Sequence, residues 1–133
     1  MQERETLESK GWRVRETAEV AGTPWDYQRY IQGSFAEFSC AEPSCVRLQD
    51  AWISDRTLCY LASGRPAGVQ FTGASALLPE NGGLLRFASL DAAVAALRAI
   101  KKDYEFHAQR ARELAERVVN VRSVAQQVLE WAL

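Results

Sequence analysis

Ser54, Asp55 and Arg56 stand where a polar loop gives way to apolar residues at helical spacing, Leu58, Leu61 and Ala62. A serine at that point can accept a first-turn amide hydrogen bond. The start of the helix also carries partial positive charge suited to an anion such as a diphosphate. Arg56 adds a planar fork of donors that matches phosphate oxygens. The same three residues equally suit a helix that binds nothing, with Ser54 capping, Asp55 complementing the dipole and Arg56 pointing to water. Thr72 and Gly73 mark a turn after a further strand. With the loop at 41–53, they fall beyond the carboxyl ends of the expected strands, where open parallel sheets bind ligands.

Other reactive groups are sparse. Glu37 and Asp55 are candidate carboxylates, but isolated carboxylates ordinarily lie in solvated surface positions. The single histidine, His107, falls on a helix and reads as a surface or core residue rather than a base. Cys40, Cys45 and Cys59 are three in number and cannot close a disulfide framework. Their spacing is not that of a zinc site, so reduced thiols and no metal are expected. No catalytic residue and no cofactor can be named from these groups.

The 133 residues fit one domain with its own core. A hydrophobic share of 47% with four tryptophans argues against disorder. With 16 basic and 17 acidic residues the net charge is -1, so no global field draws the chain to nucleic acid or to an anionic membrane. Arg110, Arg112 and Arg117 alternate with Glu113 and Glu116, the pattern of a solvated helix face. No apolar run reaches the roughly 18 residues a membrane span needs. The charged first ten residues show no signal peptide, so a cytoplasmic protein is expected.

The elements that would position these groups alternate. Residues 1–10 form a polar lead-in able to be helical, and 12–15 alternate as a short strand. Thr23 and Pro24 open a helix to about Gln32, ended by Gly33 as a left-handed terminator. Residues 35–40 form the next strand, 41–53 a loop, and Ser54 caps a helix ended by Gly64. Residues 67–71 are a strand, 74–78 one helical turn, and Asn81-Gly82 a turn before the strand at 84–87. The remainder is helical: a helix capped by Ser89, a second through Tyr104 to Val118, and a last one capped by Asn120. Strands alternating with helices predict an α/β fold, a small parallel sheet flanked by helices with a helical C-terminus.

Trp52-Ile53-Ser54-Asp55-Arg56-Thr57-Leu58-Cys59-Tyr60-Leu61-Ala62-Ser63-Gly64-Arg65-Pro66, followed by Val69-Gln70-Phe71-Thr72-Gly73, resembles a run in bacterial GT-B glycosyltransferases. In that family such a helix ends in a small-Gly-x-Pro turn, then a strand and a Thr-Gly turn. Tyr30 to Phe38, Leu78-Pro79-Glu80, Gly82 to Phe87, Asp91-Ala92-Ala93, Asp103-Tyr104 and His107 extend the likeness over roughly residues 11–130. It is most specific across 54–73. The resemblance implies a partial Rossmann-like domain equivalent to the family's C-terminal, nucleotide-sugar-binding half. It places the donor diphosphate near Ser54, Asp55 and Arg56 and near Thr72 and Gly73.

There are departures. Many retaining members carry two glutamates eight positions apart, where this chain has Ala51 and Cys59. Relatives of the pattern have an acidic residue at the place of Phe71. The acceptor domain and the first strands of the donor domain are also absent from the expected pattern. Three functions follow: a nucleotide-sugar-binding module inactive alone, a glycosyltransferase completed by a separate acceptor-domain chain, or a non-catalytic structural or interaction protein that kept the fold. A homodimer is expected, because a short sheet leaves an unpaired edge and Val121, Val124, Val128 and Leu129 form an apolar stripe beside Trp131. The stripe can instead pack on the chain's own sheet.

Overall fold

A computed structural model describes residues 2–132; Met1 and Leu133 lie outside the described residues. The chain divides into two compact units, Met1–Gly33 and Ser34–Leu133.

The first unit holds three helices, α1 (Gln2–Ser9), α2 (Thr17–Val20) and α3 (Pro24–Gly33). Residues 12–15 are not a strand, contrary to the alternation of their side chains. A strand needs a partner ladder, and this segment instead ties back to α1. The Trp12 amide donates to the Leu7 carbonyl at 3.1 Å, and Arg4 reaches the Glu16 carboxylate at 2.6 Å. Thr23 starts α3 as expected, its hydroxyl accepting from the Asp26 amide at 3.1 Å. Gly33 is the last residue of α3 and is not left-handed.

The second unit is α/β. Its strands are β1 (Glu37–Ser39), β2 (Ala67–Gln70) and β3 (Leu84–Phe87), in the spatial order β1-β2-β3. Both pairings are parallel, as the alternation of elements predicts. Between β1 and β2 run α4 (Pro43–Leu48) and α5 (Asp55–Ala62); after β3 come α6 (Leu90–Lys102), α7 (Tyr104–Val118) and α8 (Val121–Ala132). The expected loop at 41–53 thus contains a helix. Pro43 marks its start rather than a break, because the first helical position has no amide bond to lose. Gln49, left-handed at φ 53°, ends it.

Register separates the two sheet faces. Glu37, Ala67 and Leu84 share a row, and Ser39, Val69 and Arg86 share the next row but one. Ala67, Val69 and Leu84 pack with Leu61 of α5 and with Ala111, Leu114 and Ala115 of α7, forming the core on that face. Phe38, Gly68 and Gln70 alternate to the other face, where α6 packs on β2 and β3. The approach of α7 depends on Gly83: a Cβ there would meet the Ala111 amide nitrogen at 2.1 Å. His107 is buried, and its ring Nδ1 donates to the Gly82 carbonyl, pinning the Asn81-Gly82 turn to α7.

The crossover from β2 to β3, residues 71–83, has no helix, so the expected turn of helix at 74–78 does not form. Side chains fasten the segment instead. Leu78 is buried, Arg86 donates to its carbonyl at 2.8 Å, and Asn81 Oδ1 accepts from the Gly83 amide at 3.0 Å. Burial lowers the pKa of the Arg86 guanidinium from its usual high value, with Glu80 opposing the shift.

Asn120 Oδ1 accepts from the Arg122 amide at 3.0 Å and starts α8 as expected. No residue of α8 is buried. Val121 is 78% and Trp131 83% exposed, so the stripe is not part of this chain's core. No helix among the described residues is long and apolar enough to cross a membrane.

Candidate functional site

The start of α5 is built by two neighbours, β1 and the loop before Ser54. The Ser54 hydroxyl oxygen accepts from the Arg56 amide at 3.2 Å, the cap the sequence predicts. Asp55 Oδ1 accepts from the same amide at 2.8 Å and from the Ser54 hydroxyl at 3.2 Å. The Thr57 amide donates to the Ser54 carbonyl at 3.0 Å. Much of the first turn's amide capacity is therefore committed within the helix, so side chains must supply much of any anion contact.

Arg56 does not simply point to water. Its Nε donates to Glu37 Oε1 at 3.0 Å, while its side chain stays 47% exposed. Glu37 is the surprise: expected on the surface, it is 3% exposed. Its Oε1 also accepts from the Ser39 hydroxyl at 3.0 Å, and its Oε2 is buried with no hydrogen-bond partner. A buried carboxylate requires such pairing. The sheet register puts Glu37 and Ser39 on the α5 face, which single-residue reasoning cannot see.

Thr72 and Gly73 come close to the same loop but in a bracing role. The Thr72 hydroxyl donates to the Trp52 carbonyl at 2.6 Å, and the Ala51 amide donates to the Thr72 carbonyl at 2.8 Å. Gly73, at φ 121°, lets the chain pass Gln49; a Cβ there would lie 2.6 Å from the Gln49 carbonyl oxygen. Ala51 itself is left-handed at φ 60°, a conformation that costs a non-glycine residue about 1 kcal/mol. These contacts hold Trp52 and Ile53 beside the start of α5.

A shallow cleft, with enclosed room for about one water molecule, lies between this loop and the carboxyl ends of β1 and β2. Ser39, Cys40, Trp52, Ser54, Thr57 and Gln70 are among its walls. Thr57 is 1% exposed, and its hydroxyl has no hydrogen-bond partner. A buried hydroxyl left unpaired costs free energy, and a ligand atom in the cleft would offset it. Of the residues the sequence singles out, Ser54 is among the cleft's walls. Thr57, Ser39, Cys40 and Gln70 carry no such sequence signal, apart from the position of the last three at the ends of parallel strands.

Cys59 is exposed on α5. Burial, then the charges of Asp55 and Glu37, push its thiol pKa above the ordinary value. Among the described residues, no three His, Cys, Asp or Glu side chains converge as a metal site.

Comparison of this chain with family models, curated proteins and solved structures finds no match. The site therefore has to be read from its own chemistry.

Proposed function

We propose that this chain is a glycosyltransferase-like nucleotide-sugar-binding domain, inactive in sugar transfer when alone, that receives the diphosphate at the start of α5. The observation that carries the reading is the partnerless, buried Thr57 hydroxyl in a cleft at the strands' carboxyl ends, beside the half-exposed Arg56. The Rossmann-like arrangement of a parallel strand, crossover helix and parallel strand supports it. So does the resemblance of residues 11–130 to the donor half of GT-B enzymes. Catalysis in such enzymes relies on orienting donor against acceptor. Neither Ala51 nor Cys59 supplies a carboxylate for that task.

Calorimetric titration with UDP, GDP and their sugars tests the reading. Millimolar or tighter binding that Arg56→Ala weakens about tenfold, the scale of one charge-assisted phosphate contact, is the expected result. No binding of any nucleotide at millimolar concentration refutes it. Sugar transfer by the purified chain alone would refute the inactivity.

A second reading, a non-catalytic interaction protein, is favoured by α8. Its exposed apolar stripe suits a homodimer or a separate acceptor-domain chain. Retained nucleotide binding would separate the two readings.

A further inference from the structure

Parallel sheets ordinarily have both faces covered by helices. On one face of this sheet α6 packs on β2 and β3 and leaves the edge strand β1 open. Leu97 lies over Gly68 of β2, where an added Cβ would be 3.8 Å from its Cδ2. Beyond it, Phe38 of β1 is 39% exposed. Leu90, Val94 and Leu97 recur at i, i+4 and i+7 along α6, and all three are exposed. Beside them runs a groove of about 310 Å³, with Phe38, Leu90 and Ala93 among its walls and Cys40 and Gln70 at the strands' carboxyl ends.

The α8 helix is the converse, an amphipathic helix that no part of its own chain covers. Val121, Val124, Val128 and Trp131 follow the three-four-three spacing of a helix-packing seam, and all are exposed. Its 12 residues match the 13 of α6 in length. It does not reach the groove of its own chain. The preceding helix, α7, packs on the opposite face of the sheet, and residues 119–120 are the whole link between α7 and α8. Such a link spans at most about 10 Å. Helices are themselves about 10 Å across, so two on opposite faces of a sheet lie further apart than that.

Charge selects both the occupant and its direction. The α6 helix carries Asp91 in its first turn and Arg98, Lys101 and Lys102 toward its end, all exposed. The α8 helix has the reverse order, Arg122 near its start and Glu130 near its end. Laid parallel to α6, it sets Arg122 beside Asp91 and Glu130 beside Arg98 and Lys101; the antiparallel arrangement sets like charges together. Among the described residues, none of Asp91, Lys101 and Arg122 forms an ion pair within the chain.

We infer that the groove receives α8 of a second copy of this chain, laid over β1 parallel to α6, and that the exchange is reciprocal. Each copy gives one helix and accepts one, and a two-fold axis closes the pair. This rests on the interaction reading of α8 above and deepens it by naming the partner and the surface that receives the helix.

Light scattering after size exclusion at micromolar concentration is expected to give a mass near twice the 14.9 kDa of one chain. A mass of one chain overturns the inference and leaves only a different partner for α8. Leu90→Glu, on a side chain 80% exposed at the groove, should weaken the dimer at least tenfold. Unchanged dimerisation in that variant overturns the groove as the receiving surface. If Val124→Asp with Val128→Asp also stays dimeric, the interaction reading of α8 falls with it. Cross-linking fixes the geometry independently. In a Cys45→Ser, Cys59→Ser background, Val121→Cys leaves the native Cys40, exposed at the groove, and one thiol at the start of α8. Oxidised glutathione should then yield a covalent dimer joined between Cys40 and position 121, identified by peptide mass spectrometry, with Trp131→Cys joining Cys40 far less. A bond between two copies of position 121, or equal joining from position 131, overturns the inference while leaving α8 as an interface.

Discussion

Arg56 Nε and Glu37 Oε1 lie 3.0 Å apart, joining the first turn of α5 to the first residue of β1. One partner is buried and the other is half in water, so the pair anchors the helix while leaving the guanidinium partly hydrated. We predict that Arg56→Ala destabilises the fold by about 2 kcal/mol. That is less than a fully buried pair would cost, because water already screens the guanidinium. Urea unfolding measures this, and a loss below about 0.5 kcal/mol would show that the pair does not anchor α5.

In the proposed reading, Asp55 competes for the site it borders. Its carboxylate already occupies the Arg56 amide and places a negative charge where an anion would come. Asp55→Asn is expected to tighten pyrophosphate binding about threefold to tenfold, by removing like-charge repulsion. Weaker binding in this variant would mean that Asp55 orients the ligand rather than repelling it.

The two serine caps should not be equal. The Arg56 amide has a second acceptor in Asp55, whereas Ser89 Oγ is the side-chain acceptor for the Ala92 amide at 3.2 Å. Ser89→Ala is therefore predicted to cost about 1 kcal/mol and Ser54→Ala about half that. Paired denaturation curves check the ranking, and a larger loss at Ser54 would reverse it.

Gly83→Ala is predicted to destabilise by about 3 kcal/mol or to prevent folding, because its Cβ would enter the backbone of α7 at Ala111. Gly33→Ala, with open space around its Cβ and a helical backbone, is expected to gain about 0.5 kcal/mol. Thermal melts of both variants test the contrast.

Cys59 should be a slow nucleophile. Its raised pKa leaves less thiolate at pH 8 than an ordinary thiol has, so alkylation by iodoacetamide should rise at higher pH than in a model peptide. Asp55→Asn removes one of the charges responsible and should shift the curve back toward lower pH. Mass spectrometry of the labelled Cys59 peptide gives the rate; a rate matching the peptide at every pH would contradict the raised value.

Several elements are determined by the sequence alone because their signals are local. Ser54, Ser89 and Asn120 each cap the helix that follows them, and β3 spans Leu84–Phe87 as the residues after the Asn81-Gly82 turn predict. A cap acts within one helical turn and a strand's alternation within a few residues, so no distant contact has to intervene. The parallel pairing of β1 and β2 follows from the same local signals, since helices separate them, whereas β2 and β3 pair in parallel across a crossover without a helix.

Tertiary structure decided the rest. Residues 12–15 alternate like a strand yet join no sheet, because pairing depends on a neighbour that local sequence does not specify. Whether Glu37 is solvated or buried turned on the β1–β2 register, which aims it at α5 and brings Arg56 to it from nineteen positions away. That the Thr72 hydroxyl and the close passage at Gly73 brace the loop carrying Trp52 is likewise visible only in the packed chain. The apolar stripe of α8 could equally have been core by its periodicity, yet no residue of α8 is buried. Burial, orientation and the pairing of distant groups are properties of the packed chain, and periodicity along the sequence encodes only one face at a time.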